Sequence, residues 1–271
     1  MALLIEPEAL EPRLGEENLL VVDVGRASTY SQLHIPGAVH LDYQSLILGM
    51  PPAAGLPPHP RQLETALSGI GITADKQVVA YDDEGGGNAG RLLWTLATLG
   101  HQGFSLLNGG LHAWANEGHE VSAERVSAGV GDISIGEPGY ALATLDDVLA
   151  AVEANRQGGE IRLLDARSPE EYHGVKRFAA RAGHIPGAVN MDWLEAVDRE
   201  RNLRFLDDDL ILEKLANLGI QRGDEVIVYC QTHHRSSHTY AVLRHLGFDK
   251  VRGYAGAWAE WGNRPDLPME V

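Results

Sequence analysis

Cysteine is almost absent from this sequence, because Cys230 is the only one among 271 residues. A single cysteine excludes an intrachain disulfide and also a structural zinc site built from several thiolates. It suits a reducing compartment, and we expect a cytoplasmic protein. Any thiol chemistry of this chain must then depend on Cys230.

Long apolar runs and basic residues are also scarce. The apolar run at the N-terminus stops after five residues, too short for a secretory signal, and no stretch approaches the ~20 residues of a membrane helix. The formal net charge is −16, from 38 acidic and 22 basic residues. This balance gives no electrostatic footprint for nucleic acid or anionic lipid, so we expect small molecules or proteins as partners.

The two halves of the chain repeat each other. Residues 34–39 and 184–189 are the same six residues, His-Ile-Pro-Gly-Ala-Val. Similar segments surround them in the same order in both halves, and Trp114 is matched with Trp258. Such self-similarity predicts a duplicated domain. Because His34 and His184 recur, we interpret both as hydrogen-bonded loop residues rather than as catalytic groups.

The duplication defines the domain organisation. We predict a first domain over residues 1–122, a linker over 123–139, where periodicity is lost, and a second domain over 140–271. Short runs of Val, Ile and Leu alternate with helical patterns in both halves, which indicates an α/β fold with mostly parallel sheets flanked by α-helices. Such sheets bind ligands at the carboxyl ends of their strands.

Cys230 stands at such a strand end. An apolar strand over residues 225–229 precedes it, and a helix follows with Ser236 and Ser237 as expected N-caps and Gly247 at its end. Free N–H groups at a helix N-terminus, together with Arg235, favour a thiolate over a thiol. The alternative is an inert cysteine that serves as a small apolar core residue.

The first half offers an internal comparison. After its matching strand it carries three acidic residues and then three glycines, Asp82 to Gly87, where the second half is cationic. Acidic residues repel a phosphate, and no Lys follows as a P-loop requires. We therefore expect a turn without an anion site, and a first domain that is structural.

The sequence resembles the rhodanese family. The resemblance is carried by residues 164–172, by 183–190, by the cysteine loop and by the Gly-Ala-Trp of 256–258, and it extends over both halves. It implies two tandem rhodanese-like domains of which only the second is catalytic, as in thiosulfate and mercaptopyruvate sulfurtransferases.

The resemblance also implies a mechanism. Cys230 would attack the outer sulfur of thiosulfate and carry it as a persulfide to cyanide, to another thiol or to a protein acceptor, with no cofactor and no metal. The substrate-binding residues that it implies are those of the loop and the first helical turn, namely Gln231, Thr232, His233, His234, Arg235 and Ser236.

Two departures from the family pattern concern the sulfur donor. The loop Gln-Thr-His-His-Arg matches neither the thiosulfate type nor the mercaptopyruvate type of loop, and Glu171 stands where thiosulfate-using relatives can carry a basic residue. Arg235 and the two loop histidines favour an inorganic anion. Thiosulfate is therefore the predicted donor, and 3-mercaptopyruvate is the alternative.

Three other functions compete with sulfur transfer. A cysteine-dependent phosphatase keeps five residues between Cys and Arg, whereas this chain has four. A non-enzymatic persulfide- or anion-binding module is the second alternative. A metal site is the third, with four candidate ligands at short spacing, Cys230, His233, His234 and His238.

Overall fold

A computed structural model describes residues 2–133 and 139–271, which form two compact units. Each unit contains a short segment from the other half of the chain. The first unit comprises Met1–Ile47, Pro58–Gly139 and Val197–Phe205, and the second comprises Leu48–Pro57, Tyr140–Ala196 and Leu206–Val271. Residues 134–138, within the predicted linker, lie outside the described residues.

The first unit is built on a five-stranded parallel sheet with the strand order β1-β5-β4-β2-β3. Its strands are β1 (Leu4–Ile5), β2 (Leu19–Asp23), β3 (Val39–His40), β4 (Gln77–Tyr81) and β5 (Phe104–Leu107). Its helices are α1 (Pro7–Leu10), α2 (Ala27–Tyr30), α3 (Pro60–Gly69), α4 (Gly87–Thr98) and α5 (Gly110–Asn116), with 3₁₀ turns at Glu11–Arg13 and Tyr43–Leu46.

The second unit repeats this topology with the order β6-β12-β11-β7-β8, again parallel. Its strands are β6 (Leu142–Ala143), β7 (Arg162–Asp165), β8 (Ala188–Asn190), β11 (Val226–Tyr229) and β12 (Val251–Tyr254), while the antiparallel ribbon of β9 (Val197–Asp198) and β10 (Arg204–Phe205) belongs to the first unit. The helices of the second unit are α6 (Leu145–Arg156), α7 (Pro169–Tyr172), α8 (Asp208–Asn217), α9 (Arg235–His245) and α10 (Ala257–Trp261), with a 3₁₀ turn at Trp193–Ala196. In the described ranges, no helix is long and apolar enough to cross a membrane.

The core of the second unit explains why β11 is apolar throughout. All four residues of this central strand are buried, as expected for a parallel strand covered on both faces. Ile227 and Tyr229 pack with Leu163, Trp258 and Trp261 in one cluster. The predicted α/β fold with mostly parallel sheets is confirmed.

The repeated His-Ile-Pro-Gly-Ala-Val stretch has the same structural role in both units. His34 Nδ1 lies 2.7 Å from the carbonyl oxygen of Tyr30, and His184 Nδ1 lies 2.9 Å from that of Tyr172. Each histidine also stacks on the same tyrosine ring, with centroids 4.1 and 3.7 Å apart. The interpretation of both histidines as hydrogen-bonded loop residues is confirmed.

The match of Trp114 with Trp258 is wrong. The main-chain N–H of Leu111 donates to the carbonyl of Asp82, the first residue after β4, at 2.9 Å. The N–H of Trp258 donates at the same distance to the carbonyl of Cys230, the first residue after β11. Trp258 is therefore the counterpart of Leu111. Trp114 corresponds to Trp261, since each indole N–H donates to a carbonyl oxygen six or seven residues further along the chain.

Candidate active site

Cys230 is the first residue after β11, and the loop that it opens ends where α9 begins at Arg235. Neighbouring backbone holds this loop in place. Trp258 and Ala259 donate their N–H groups to the carbonyls of Cys230 and Gln231, both at 2.9 Å. The thiol is 1% exposed and sits at the N-terminus of an 11-residue helix.

Opposing effects act on the pKa of the Cys230 thiol. Burial raises it, but the charge of Arg235 and hydrogen bonds from the hydroxyl and N–H of Ser236 and the N–H of Thr232 lower it. The lowering effects prevail, so the pKa lies below that of an ordinary thiol. Inert buried cysteines show the opposite shift, so the inert-cysteine alternative does not fit this environment.

This electrostatic environment makes the reactivity of Cys230 testable. We expect the rate of alkylation by iodoacetamide to rise with pH through a midpoint below that of an unstructured cysteine peptide, because only the thiolate reacts. The measurement is a pH series of alkylation rates for the protein and the peptide under the same conditions. A midpoint at or above that of the peptide contradicts the electrostatic account.

The N-terminus of α9 differs in detail from the sequence prediction. The expected N-caps Ser236 and Ser237 lie in the first helical turn, because the helix begins at Arg235 and its N-cap residue is His234. Ser236 Oγ lies 2.7 Å from His233 Nδ1, and Ser237 Oγ donates to the His233 carbonyl. His233 is fully buried and has φ 56°, a left-handed conformation that is uncommon outside glycine. His233 therefore shapes the loop.

Arg235 is held by Glu171. Its two terminal nitrogens donate to the two carboxylate oxygens at 2.5 and 2.9 Å, a bidentate ion pair. Burial raises the pKa of Glu171, but the hydrogen bonds and charge of Arg235 outweigh burial and hold it below its usual value. By sequence, Glu171 is a departure from the family pattern; in the structure it is the partner that orients Arg235.

The other predicted site residues lie around the same loop. Gln231 Nε2 donates to the carbonyl of Phe178 at 3.2 Å. His234 is half-buried with its ring near Trp193. Thr232 contributes its main-chain N–H to the sulfur. The loop that the sequence selected is thus assembled around one thiol.

The first unit keeps the same cradle but fills it with its own side chain. Asp82, the counterpart of Cys230, is buried and accepts main-chain N–H groups from Glu84, Gly86 and Ala89 at 3.0, 2.8 and 2.9 Å. The expectation of a turn without an anion site fits this geometry, because the N–H groups that could hold an anion are already engaged by Asp82. Burial raises the pKa of the Asp82 carboxyl against the effect of these N–H groups, and the carboxyl follows β4 as the thiol of Cys230 follows β11.

This cradle predicts a stability effect in the first unit. Asp82→Ala leaves three main-chain donors without their acceptor, and we expect the free energy of unfolding to fall by about 2 to 4 kcal/mol. Urea unfolding measures the change, with Glu84→Ala as the control that removes an exposed carboxylate from the same loop. Equal stability of Asp82→Ala and wild type contradicts this interpretation.

The proposed metal ligands do not converge on one point. Among residues 2–133 and 139–271, Cys230 and the histidines of its loop and helix do not form a group whose ligand atoms lie within 4.8 Å of one another. His238 is buried beside Trp193, and burial lowers its pKa to about 3. A group of this kind does occur at Glu8, Glu117 and His119, where Arg204 also pairs with Glu117. The geometry gives the metal alternative no support.

Two parallel α/β units, each with a loop of main-chain N–H donors around one side chain at the end of its central strand, define the class of this protein. The rhodanese-like domain family matches residues 6–117 and 148–264. The chain belongs to the rhodanese family, as the resemblance predicted.

Individual relatives agree over the whole length. A thiosulfate sulfurtransferase of Azotobacter vinelandii is 43% identical over 100% of this chain and 98% of its own, and one of Pseudomonas aeruginosa is 44% identical with the same coverage. The Tum1 protein of Saccharomyces cerevisiae has the same fold, with a TM-score of 0.85 at 19% identity over 98% of this chain and 97% of that one. The prediction of a sulfurtransferase enzyme is confirmed.

Proposed function

We propose that the chain transfers the outer sulfur of thiosulfate to cyanide or another thiophilic acceptor through a persulfide on Cys230. The observation that carries this proposal is the thiol of lowered pKa held among N–H donors at the start of α9. The names of the full-length relatives from Azotobacter and Pseudomonas support thiosulfate as the donor. The predicted cytoplasmic location stays a prediction.

The reaction divides into two displacements. The Cys230 thiolate attacks the outer sulfur of thiosulfate, the S–S bond of the donor breaks, and sulfite leaves with the electron pair. The carbon of cyanide then attacks the outer sulfur of the persulfide, thiocyanate leaves, and the electron pair returns to Cys230 as a thiolate. The atoms and electrons balance without a metal or an organic cofactor.

The loop residues have distinct proposed roles in these steps. The N–H groups of Thr232 and Ser236 stabilise negative charge on the sulfur, both in the thiolate and in the persulfide. Arg235 adds positive charge that lowers the pKa of the thiol, while its terminal nitrogens are paired with Glu171. Gln231, His233 and His234 complete the loop and hold its shape. The first unit, with Asp82 in place of the cysteine, is proposed to be non-catalytic.

Steady-state kinetics distinguish thiosulfate from two alternative substrates, 3-mercaptopyruvate and a phosphate monoester. 3-Mercaptopyruvate also presents an anion, and the comparison is between the kcat/KM values of the two donors. A phosphatase needs an arginine free to hold phosphoryl oxygens, whereas both terminal nitrogens of Arg235 are engaged by Glu171. We expect thiosulfate to have the higher kcat/KM and a phosphate monoester to be inert. A clear preference for mercaptopyruvate contradicts the proposed donor.

A further inference from the structure

The segment Leu48–Pro57 comes from the first half of the chain but belongs to the unit that carries Cys230. It folds back on itself, because the N–H of Leu48 donates to the carbonyl of Leu56 and that of Gly49 donates to Ala54. Its tip is exposed at Met50, whereas Gly55 is buried. The segment is therefore anchored at Gly55.

Gly55 meets the cysteine loop at main-chain distance. A Cβ atom on this residue would lie 2.1 Å from the carbonyl oxygen of Thr232 and 2.8 Å from that of Ala255. Real Cβ atoms do not approach so closely, so the contact exists only because residue 55 is glycine. Ala255 precedes the turn whose N–H groups hold the cysteine loop from its other side.

The first unit contains a related contact with the loop after β5, which repeats the Gly55–Ala255 contact but not the Gly55–Thr232 contact. Val197–Phe205 follows the 3₁₀ turn of the second half, as Leu48–Pro57 follows that of the first. The N–H of Phe205 donates to Asn108 Oδ1, and the carbonyl of Asn202 lies 2.7 Å from the place of a Cβ on Gly109. In each unit, a segment from the other half braces the loop that follows the strand next to the central one.

We propose that Gly55 is a positioning residue of the active site, whose backbone packs against the Thr232 carbonyl and holds the cysteine loop in the conformation in which the Thr232 N–H faces the Cys230 sulfur. The proposal rests on the proposed function of Cys230, and it assigns part of that function to the first half of the chain. From the sequence, the first domain is expected to be structural only.

Only Thr232 lies between Gly55 and the thiol of Cys230. Thr232 has its carbonyl against Gly55 and its N–H on the sulfur. The next residue, His233, has φ 56°, so the loop has little freedom to absorb a shift without strain. A methyl group on residue 55 must push the Thr232 carbonyl away. The displacement rotates the loop and weakens the hydrogen bond from the Thr232 N–H.

The test is Gly55→Ala in the full chain, with Gly69→Ala as the matched control, since a Cβ at Gly69 meets nothing within 4 Å. The readout is the midpoint pH of iodoacetamide alkylation. We expect Gly55→Ala to raise this midpoint by about one unit, so that alkylation well below the midpoint slows about 10-fold, with no change for Gly69→Ala. The limiting rate at high pH stays the same, because a thiolate once formed is equally accessible.

A folded Gly55→Ala protein with the wild-type midpoint overturns the proposal. If Gly55→Ala does not fold, Ala53→Gly decides, because it loosens the same segment by removing a buried methyl and adds no atom. A raised midpoint in that variant supports the proposal, and an unchanged one overturns it. Alkylation needs no sulfur donor, so a failure of the proposed function is detected separately, as a failure of wild type to take sulfur from thiosulfate.

Discussion

Cys230→Ala is expected to lower the turnover of thiosulfate and cyanide by about 10⁴-fold or more, because the covalent route disappears with the nucleophile. The chain has no other cysteine that could take over. The measurement is steady-state thiocyanate formation at saturating donor, compared with wild type at equal protein concentration.

The control for this prediction addresses folding. Cys230 is fully enclosed and its side chain is small, so alanine leaves a small cavity and the fold is retained. Near-ultraviolet circular dichroism and the urea midpoint verify this, and Cys230→Ser keeps the side-chain volume more closely. If either variant is folded and retains a tenth of the wild-type turnover, Cys230 is not the sulfur carrier.

Arg235→Gln has the second large expected effect, on stability and on the thiol together. Glu171 has a side chain only 6% exposed, and removal of its partner leaves a buried carboxylate without a counter-charge. Breaking such a pair from one side costs about 3 kcal/mol in the free energy of unfolding. The same change removes the positive charge that lowers the pKa of Cys230, so alkylation shifts to higher pH.

The double variant Glu171→Gln/Arg235→Gln separates these two consequences. It removes both charges, so we expect most of the stability to return while the alkylation midpoint stays raised. Arg264→Gln is the control, because its pair with Asp266 is exposed and contributes little. If the losses in the free energy of unfolding caused by Glu171→Gln and Arg235→Gln simply add in the double variant, the assigned pairing is contradicted.

The pH dependence of stability has a definite sign for this pair. The folded-state pKa of Glu171 lies below its unfolded value. The contribution of the pair is therefore present above the unfolded pKa and is lost as the pH falls through the lowered folded one. The stability difference between wild type and Arg235→Gln should shrink in acid, and urea midpoints at neutral and acid pH measure it.

The fold was predictable because it is repeated. Residues 34–39 and 184–189 are identical, and an apolar strand precedes Cys230 in the second half as another precedes Asp82 in the first. A local pattern that occurs twice in the same order is hard to misread. The candidate nucleophile followed from its place at a strand end before a helix, a position set by local sequence.

The rest of the site depends on contacts between residues distant in sequence. Glu171 and Arg235 are 64 positions apart, and no local pattern indicates that their side chains meet. Gly55 reaches Thr232 only because a segment of one half joins the unit of the other. The mismatch of Trp114 with Trp258 arose because tryptophan identity was used as the guide, whereas main-chain hydrogen bonds define the true correspondence.

The most direct test of the central claim is the intact mass of the protein after incubation with thiosulfate and removal of excess donor. We expect wild type to gain the mass of one sulfur atom and to lose it on addition of cyanide, with release of one equivalent of thiocyanate. We expect Cys230→Ala to gain nothing. A wild type that gains no sulfur, or a Cys230→Ala variant that gains as much, contradicts the central claim.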